Sequence, residues 1–281
     1  MPDDEPTDAA VDRVRRHFDD AVDAEWGRLA DTVEGRVSFE VHRRFLAGYV
    51  RPGMHVLEIG AGPGRFTREL AGLGATIEVT DLSEPQLAAN RERAEQDGYQ
   101  AAVTGWRQLD VRDVAEFSAG SFDVVLAYGG PLSYVFDHAA DALAGLLRVV
   151  GGRGTVVASV MSTLGAYRAF LPAVLELPDA DSAHILATGD LRRSQPEGHV
   201  CRMFRAREVN GLVQDAGGVL LAASASNWTS LDHPDVVAEL ERSPERWASY
   251  LDREVELCAE PGALDGGTHI LFAARPATGA R

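Results

Sequence analysis

Apolar positions change period along this chain. From Val11 they recur every three or four residues, at Val14, Phe18, Val22, Trp26 and Leu29, which places them on one helix face. A second helical stretch fits residues 38–50, with Phe39, Val41, Phe45, Leu46 and Tyr49 inward, and Arg51-Pro52-Gly53 breaks it. Beyond that break, short apolar runs alternate with amphipathic stretches. Strands are predicted at 54–59, 76–80, 102–106, 122–128 and 154–161, with helices at 65–73, 84–97 and 139–150. Residues 162–200 interrupt the alternation with prolines, two histidines and mixed polarity. It resumes with a helix at 206–216, a strand at 219–225, a helix at 234–257 and a strand at 269–274.

Apolar strands alternating with helices predict a mostly parallel sheet covered on both faces, with right-handed crossovers. The expected fold is therefore α/β: a doubly wound, Rossmann-like, seven-stranded sheet. Its expected parts are a helical cap (1–50), a core (51–161), an insertion or lid (162–200) and the closing part of the sheet (201–281). An insertion of that length inside a compact domain usually serves binding.

Charge narrows the function. The 281 residues carry 43 acidic and 27 basic side chains, a formal charge of −16. That field repels phosphate backbones and anionic lipid, so neither nucleic acid nor membrane is an expected partner. Every basic residue is Arg, which excludes a lysine Schiff base or a P-loop lysine. No apolar run approaches the roughly 18 residues of a membrane span. The acidic start, Met-Pro-Asp-Asp-Glu-Pro, is no secretory signal, and a cytoplasmic location is expected. Cys201 and Cys258 lack zinc spacing and read as buried small hydrophobes; no metal site is expected.

The chemistry gathers at strand ends. Val56-Leu-Glu58-Ile-Gly60-Ala61-Gly62-Pro-Gly64 is a strand running into a glycine turn. Glycine there lets the backbone pass close to a ligand. A dinucleotide fingerprint would need glycine at position 65, which is Arg. A carboxylate such as Glu58 inside an apolar strand is costly without a partner. Asp81 follows the next strand, 17 residues beyond Gly64, where a carboxylate can accept both hydroxyls of a ribose. It could also merely cap the helix that follows. Asp110 comes just after the third strand, placed to accept from an exocyclic amine. The fourth strand runs into Ala127-Tyr128-Gly-Gly-Pro131, and a further glycine turn precedes the fifth. Trp106 reads as core and Asp113 as a loop residue.

Taken together, these features resemble the class I S-adenosylmethionine-dependent methyltransferases over about residues 35–225. The outer segments resemble a bacterial branch of small-molecule methyltransferases, through Glu-Trp-x-Arg-Leu (Glu25 to Leu29) and Gly-x-His-Ile-Leu (Gly267 to Leu271). The resemblance implies S-adenosyl-L-methionine as cofactor. Glu58 and the loop of Gly60, Ala61, Gly62 and Gly64 would hold its amino-acid end, and Arg28 its carboxylate. Asp81 would bind the ribose, Leu82 would lie beside the adenine, and Asp110 and the Val111 N–H would read its edge. Ala127 and Tyr128 would floor the pocket.

Bases for an acceptor proton are sought among Tyr128, Tyr134, His138, His184 and His199, with Tyr134 and His199 foremost. Relatives often carry histidine where this chain has Tyr134. The Asn/Asp-Pro-Pro motif of base-amine methylases is absent. The expected reaction is methyl transfer to oxygen, nitrogen or carbon of a small organic acceptor of the secondary-metabolite kind, by a monomer or homodimer. A cyclisation using the same cofactor, or a non-catalytic cofactor-binding regulator, are the alternatives. The cap and the insertion are expected to close over the acceptor.

Overall fold

The computed structural model describes residues 6–194 and 199–277; positions 195–198 of the expected insertion lie outside the described residues. Helices α1 (Thr7–Asp20), α2 (Val22–Arg28) and α3 (Val33–Ala47) precede the sheet. The parallel strands follow as β1 (His55–Ile59), β2 (Thr76–Asp81), β3 (Val103–Gln108), β4 (Val124–Ala127) and β5 (Thr155–Met161). Between them lie α4 (Arg65–Gly72), α5 (Glu84–Gln96) and α6 (Ala139–Val150). The insertion folds as α7 (Thr163–Ala169), α8 (Leu171–Val174) and α9 (Asp179–Thr188). The chain closes with α10 (Ala206–Asp215), β6 (Gly218–Ala225), α11 (Pro234–Leu240), α12 (Pro244–Cys258) and β7 (His269–Pro276).

Seven strands form one sheet in the order β3-β2-β1-β4-β5-β7-β6, with β7 antiparallel to both neighbours. The order reverses between β1 and β4, and crevices at such switch points take ligands at the carboxyl ends of the strands. One core lies under α6 and α10, with Leu57, Val125, Leu143, Leu146, Val213 and Phe272. The other packs Val56, Ile77, Leu126 and Leu271 against Leu46, Leu70 and Leu87. Both cysteines are free and buried, and burial pushes their thiols well above the ordinary range.

Three boundaries differ from the periodicity. The apolar stripe of residues 11–29 is two helices, because the backbone leaves helical geometry at Ala21 (φ −107°, ψ 21°). The next helix begins at Val33 rather than 38, capped by Thr32, whose hydroxyl accepts from the Gly35 N–H at 3.1 Å. Gly35 is no breaker there: a Cβ at that position would lie 2.5 Å from the Arg28 carbonyl, so its absence permits close packing. The stretch 234–257 is split because Pro244 cannot continue a helix and instead starts α12.

Candidate active site

At the end of β1, Gly60, Gly62 and Gly64 take φ of +66°, +54° and +100°. A Cβ on Gly60 would stand 2.8 Å from Pro131 Cγ, so the glycine loop lies directly against the turn after β4. Asp81 ties that loop to β2. Its Oδ2 accepts from the Gly62 N–H and its Oδ1 from the Ser83 N–H, both at 2.8 Å. Burial pushes Asp81 up to about 6, although these hydrogen bonds oppose the shift.

A cavity of about 340 Å³ opens over these strand ends. Its wall includes Gly60, Ala61, Gly62, Asp81, Leu82, Asp110, Val111, Tyr128, Tyr134, His199 and Arg28, all anticipated from the sequence. Glu58, Gly64 and Ala127 stand behind the wall instead. Glu58 Oε2 accepts from the Thr67 hydroxyl at 2.7 Å. The Asn90 side-chain amide donates to Thr67 Oγ1 at 2.8 Å, and the Trp106 indole N–H donates to Asn90 Oδ1 at 3.1 Å. This is the partner that a carboxylate in an apolar strand requires, and it is internal. Burial pushes Glu58 up to about 8, so at neutral pH it is mostly the protonated acid.

The base candidates separate in the same way. His138 sits 3.9 Å from Asp141, and His184 lies elsewhere on α9; neither reaches the cavity. The Tyr128 hydroxyl donates to the His42 carbonyl at 3.2 Å and is committed to α3. Tyr134 and His199 come together across 65 residues, with His199 Nε2 2.9 Å from the Tyr134 hydroxyl. Burial holds His199 down to about 4 and pushes the Tyr134 phenol far up, so both are neutral across the physiological range.

Several wall residues escaped the sequence reading. α1 and α2 supply Val11, Val14, His17, Phe18 and Glu25. His17 continues the α1 stripe at i+3 from Val14, a signal that an apolar template overlooks. Glu25 Oε2 accepts from Arg28 Nε at 2.9 Å, so α2 presents an acid and a base side by side. His269, quoted only as part of a strand motif, lies at the floor opposite Met161, and burial holds it neutral. α2 is docked by Trp26, whose ring lies 4.2 Å from the guanidinium carbons of both Arg65 and Arg93. Of the described residues of the insertion, His199 alone reaches the wall; the cover over the cavity is built from the cap. Among the described residues no group of three His, Cys, Asp or Glu is placed to hold a metal.

Residues 56–154 match the family described as a methyltransferase domain. That segment is a methyltransferase domain by this match, and the chain as a whole shares the fold of solved methyltransferases. A ubiquinone biosynthesis O-methyltransferase of Nitrosococcus oceani is 37% identical over 73 residues, covering 26% of this chain and 30% of that protein. The chain thus spans about a third to a half of the length of the curated relatives it matches. The fold of a Haloferax volcanii methyltransferase, solved with the Trm112 activator, overlays with a TM-score of 0.58 at 17% identity, covering 95% of this chain and 100% of that one. The cyclase SpnF overlays at 0.55 and 16% identity, covering 84% and 81%.

The residues of this methyltransferase core fit an adenosyl cofactor. A Cβ on Gly62 would meet nothing nearer than Gln86 Oε1 at 3.9 Å, so the loop leaves room on its cavity side. Gln86 Oε1 is itself buried without a partner among the described residues. Asp81 presents its carboxylate to the cavity, and Leu82 and Val111 line the same wall. The Arg28 guanidinium sits 3.7 Å from the Cβ position of Gly129, at the opposite end.

Proposed function

We propose that this protein transfers a methyl group from S-adenosyl-L-methionine to an oxygen, nitrogen or carbon of a small organic acceptor of the secondary-metabolite kind, in the cytoplasm. The observation that carries this reading is the joining of Gly60–Gly62, Asp81, Asp110–Val111 and Arg28 around one cavity at the sheet's switch point. When bound, the cofactor supplies a methyl group on a positively charged sulfur, an excellent leaving group. The chain's part is then alignment and exclusion of water. Asp81 orients the ribose, and Arg28 holds the carboxylate with a planar fork. The apolar wall of Val11, Val14, Leu29 and Met161 keeps the reacting atoms dry. Tyr134 and His199 face the acceptor as a neutral hydrogen-bonded pair. That pair can orient an acceptor group and accept its proton as the bond to carbon forms.

The net charge of −16 supports a small acceptor over nucleic acid. No helix among the described residues is long and apolar enough to cross a membrane. The test is incubation with methyl-labelled cofactor and a panel of small hydroxy, amino and enol acceptors. Transfer of label to an acceptor supports methylation. A cofactor-dependent product without label would instead establish the cyclisation alternative. Tight cofactor binding with no product from any acceptor would favour a regulator.

A further inference from the structure

Two arginine forks of the same geometry grip the first turn of α1. In Asp110-Val111-Arg112, the Arg112 backbone N–H donates to Asp110 Oδ1 at 2.9 Å. The Arg112 Nε–H is shared between Oδ1 and Oδ2 at 3.1 and 3.0 Å, and Nη2 donates to Oδ2 at 2.7 Å. Asp190-Leu191-Arg192 repeats this pattern at 2.8 Å, at 3.2 and 2.9 Å, and at 2.6 Å. The outer ends of both forks converge on adjacent residues. Arg112 Nη1 donates to Asp8 Oδ1 at 2.6 Å, and Arg192 Nη1 to Thr7 Oγ1 at 3.4 Å. Thr7 and Asp8 open α1, whose inner face covers the cavity with Val11, Val14, His17 and Phe18. At the other end of α1, the Gln86 side-chain amide holds the Phe18 carbonyl at 2.8 Å, and the backbone bends at Ala21.

The first fork sits on the cofactor wall, because Asp110 lines the cavity. A carboxylate offers about four lone-pair sites. The three N–H groups of Arg112 make four contacts there, two at each oxygen, because the Nε–H is divided between Oδ1 and Oδ2. The second fork belongs to the segment that carries His199, tied back by the Leu191 N–H to the Cys201 carbonyl at 3.0 Å. A cavity of 340 Å³ lies near the bottom of the ~300–1,000 Å³ range for pockets that hold one drug-sized ligand.

We propose that Arg112 is a positioning residue that joins two events: recognition of the adenine amine by Asp110, and closure of α1 over the cavity. Resting on the cofactor assignment above, the proposal makes Asp8–Arg112–Asp110 a continuous chain of hydrogen bonds. An amine donating to one Asp110 oxygen confines the shared Nε–H to the other, which leaves each bond of the fork undivided and so fixes the arginine that holds the lid. Arg192 holds the same turn to the acceptor side.

Calorimetry with S-adenosylhomocysteine and with its 6-oxo counterpart, S-inosylhomocysteine, tests this. The wild-type protein is expected to prefer the amino form. Asp8→Asn leaves the cavity wall untouched, yet should reduce that preference about two- to five-fold, the range of an exposed ion pair. Arg112→Lys keeps the charge but loses the fork, and should reduce it further. Hydrogen exchange in residues 7–20 should slow more with the amino ligand than with the oxo ligand, and this difference should shrink in Asp8→Asn. An unchanged preference in Asp8→Asn, with equal protection of α1 by the two ligands, overturns the coupling and leaves the cofactor assignment standing. Failure of both ligands to bind the wild-type protein overturns that assignment and the proposal with it.

Discussion

The Nε2 of His199 lies 2.9 Å from the Tyr134 hydroxyl, and the two rings meet edge to face at 82°. One residue lies at the end of the insertion and the other follows β4, so the pair exists only in the folded chain. Phe18 closes its outer side, with its ring centroid 5.4 Å from that of Tyr134.

Tyr134→Phe removes the hydroxyl and keeps the packing. Turnover is expected to fall about 10- to 100-fold, toward the lower part of the range for a lost proton-transfer partner. Affinity for S-adenosylhomocysteine, measured by calorimetry, should stay within about two-fold, because the cofactor wall is untouched. Turnover of the wild-type enzyme should decline as pH falls toward 4, where His199 gains a proton. A decline centred near 6.5 would place that imidazole in water rather than in the buried pair.

Glu58 makes the empty enzyme less stable as pH rises. Its folded value is about 8 against an ordinary 4.5, so between these pH values the unfolded chain has released a proton that the folded one keeps. Stability present at pH 4.5 is therefore lost progressively toward pH 8. The neutral imidazole of His42, buried and held down to about 4, acts in the opposite sense and adds stability as pH rises from 4 to 6.5. Glu58→Gln should leave a thermal midpoint that no longer drops above pH 6.5. At pH 8 it should be more stable than wild type by on the order of 3 kcal/mol. Equal slopes for the two proteins above pH 6.5 would show that Glu58 is ionised in the fold.

Gly60 and Gly62 should respond differently to alanine. Both have positive φ, which costs an L-residue roughly 1–2 kcal/mol. At Gly60 the added Cβ also meets Pro131 at 2.8 Å, so denaturation should show the larger stability loss there. At Gly62 the Cβ enters open cavity space, so cofactor affinity should fall further than stability does. Comparison of urea midpoints with calorimetric affinities for the two variants checks the contrast.

Asp81→Asn replaces an acceptor pair with one acceptor and one donor, while the Gly62 and Ser83 N–H groups both point at this side chain. Cofactor affinity should drop at least about ten-fold, in line with the 1.5–3 kcal/mol of a hydrogen bond to a charged group. A 2′-deoxyadenosyl analogue, which lacks one of the two hydroxyls, should lose less affinity in the variant than in the wild type. An equal loss in both proteins would separate Asp81 from the ribose.

The order of strands and helices, the glycine turn, Asp81 and Asp110 were legible in the sequence because each depends on local periodicity or on residues close along the chain. A β-strand followed by Gly60-x-Gly62 announces itself wherever the rest of the chain lies. The turn at Ala21 was not legible: Ala is a good helix former, and the break comes from docking Trp26 between Arg65 and Arg93, 39 and 67 residues away. Glu58 was identified as a carboxylate in need of a partner. Only packing decided that the partner is Thr67, with Asn90 and Trp106 behind it, rather than the ligand. His17 and His269 are single imidazoles near opposite ends of the chain, and nothing local distinguishes them from surface or core histidines. The cap brings one to the roof of the cavity and the antiparallel pairing of β7 with β5 brings the other to its floor. The sequence thus determined the strand-end half of the cavity, whose groups ride on successive strands of one sheet. The tertiary structure decided the other half, whose groups come from segments that meet only when the sheet is complete and the cap is packed against it.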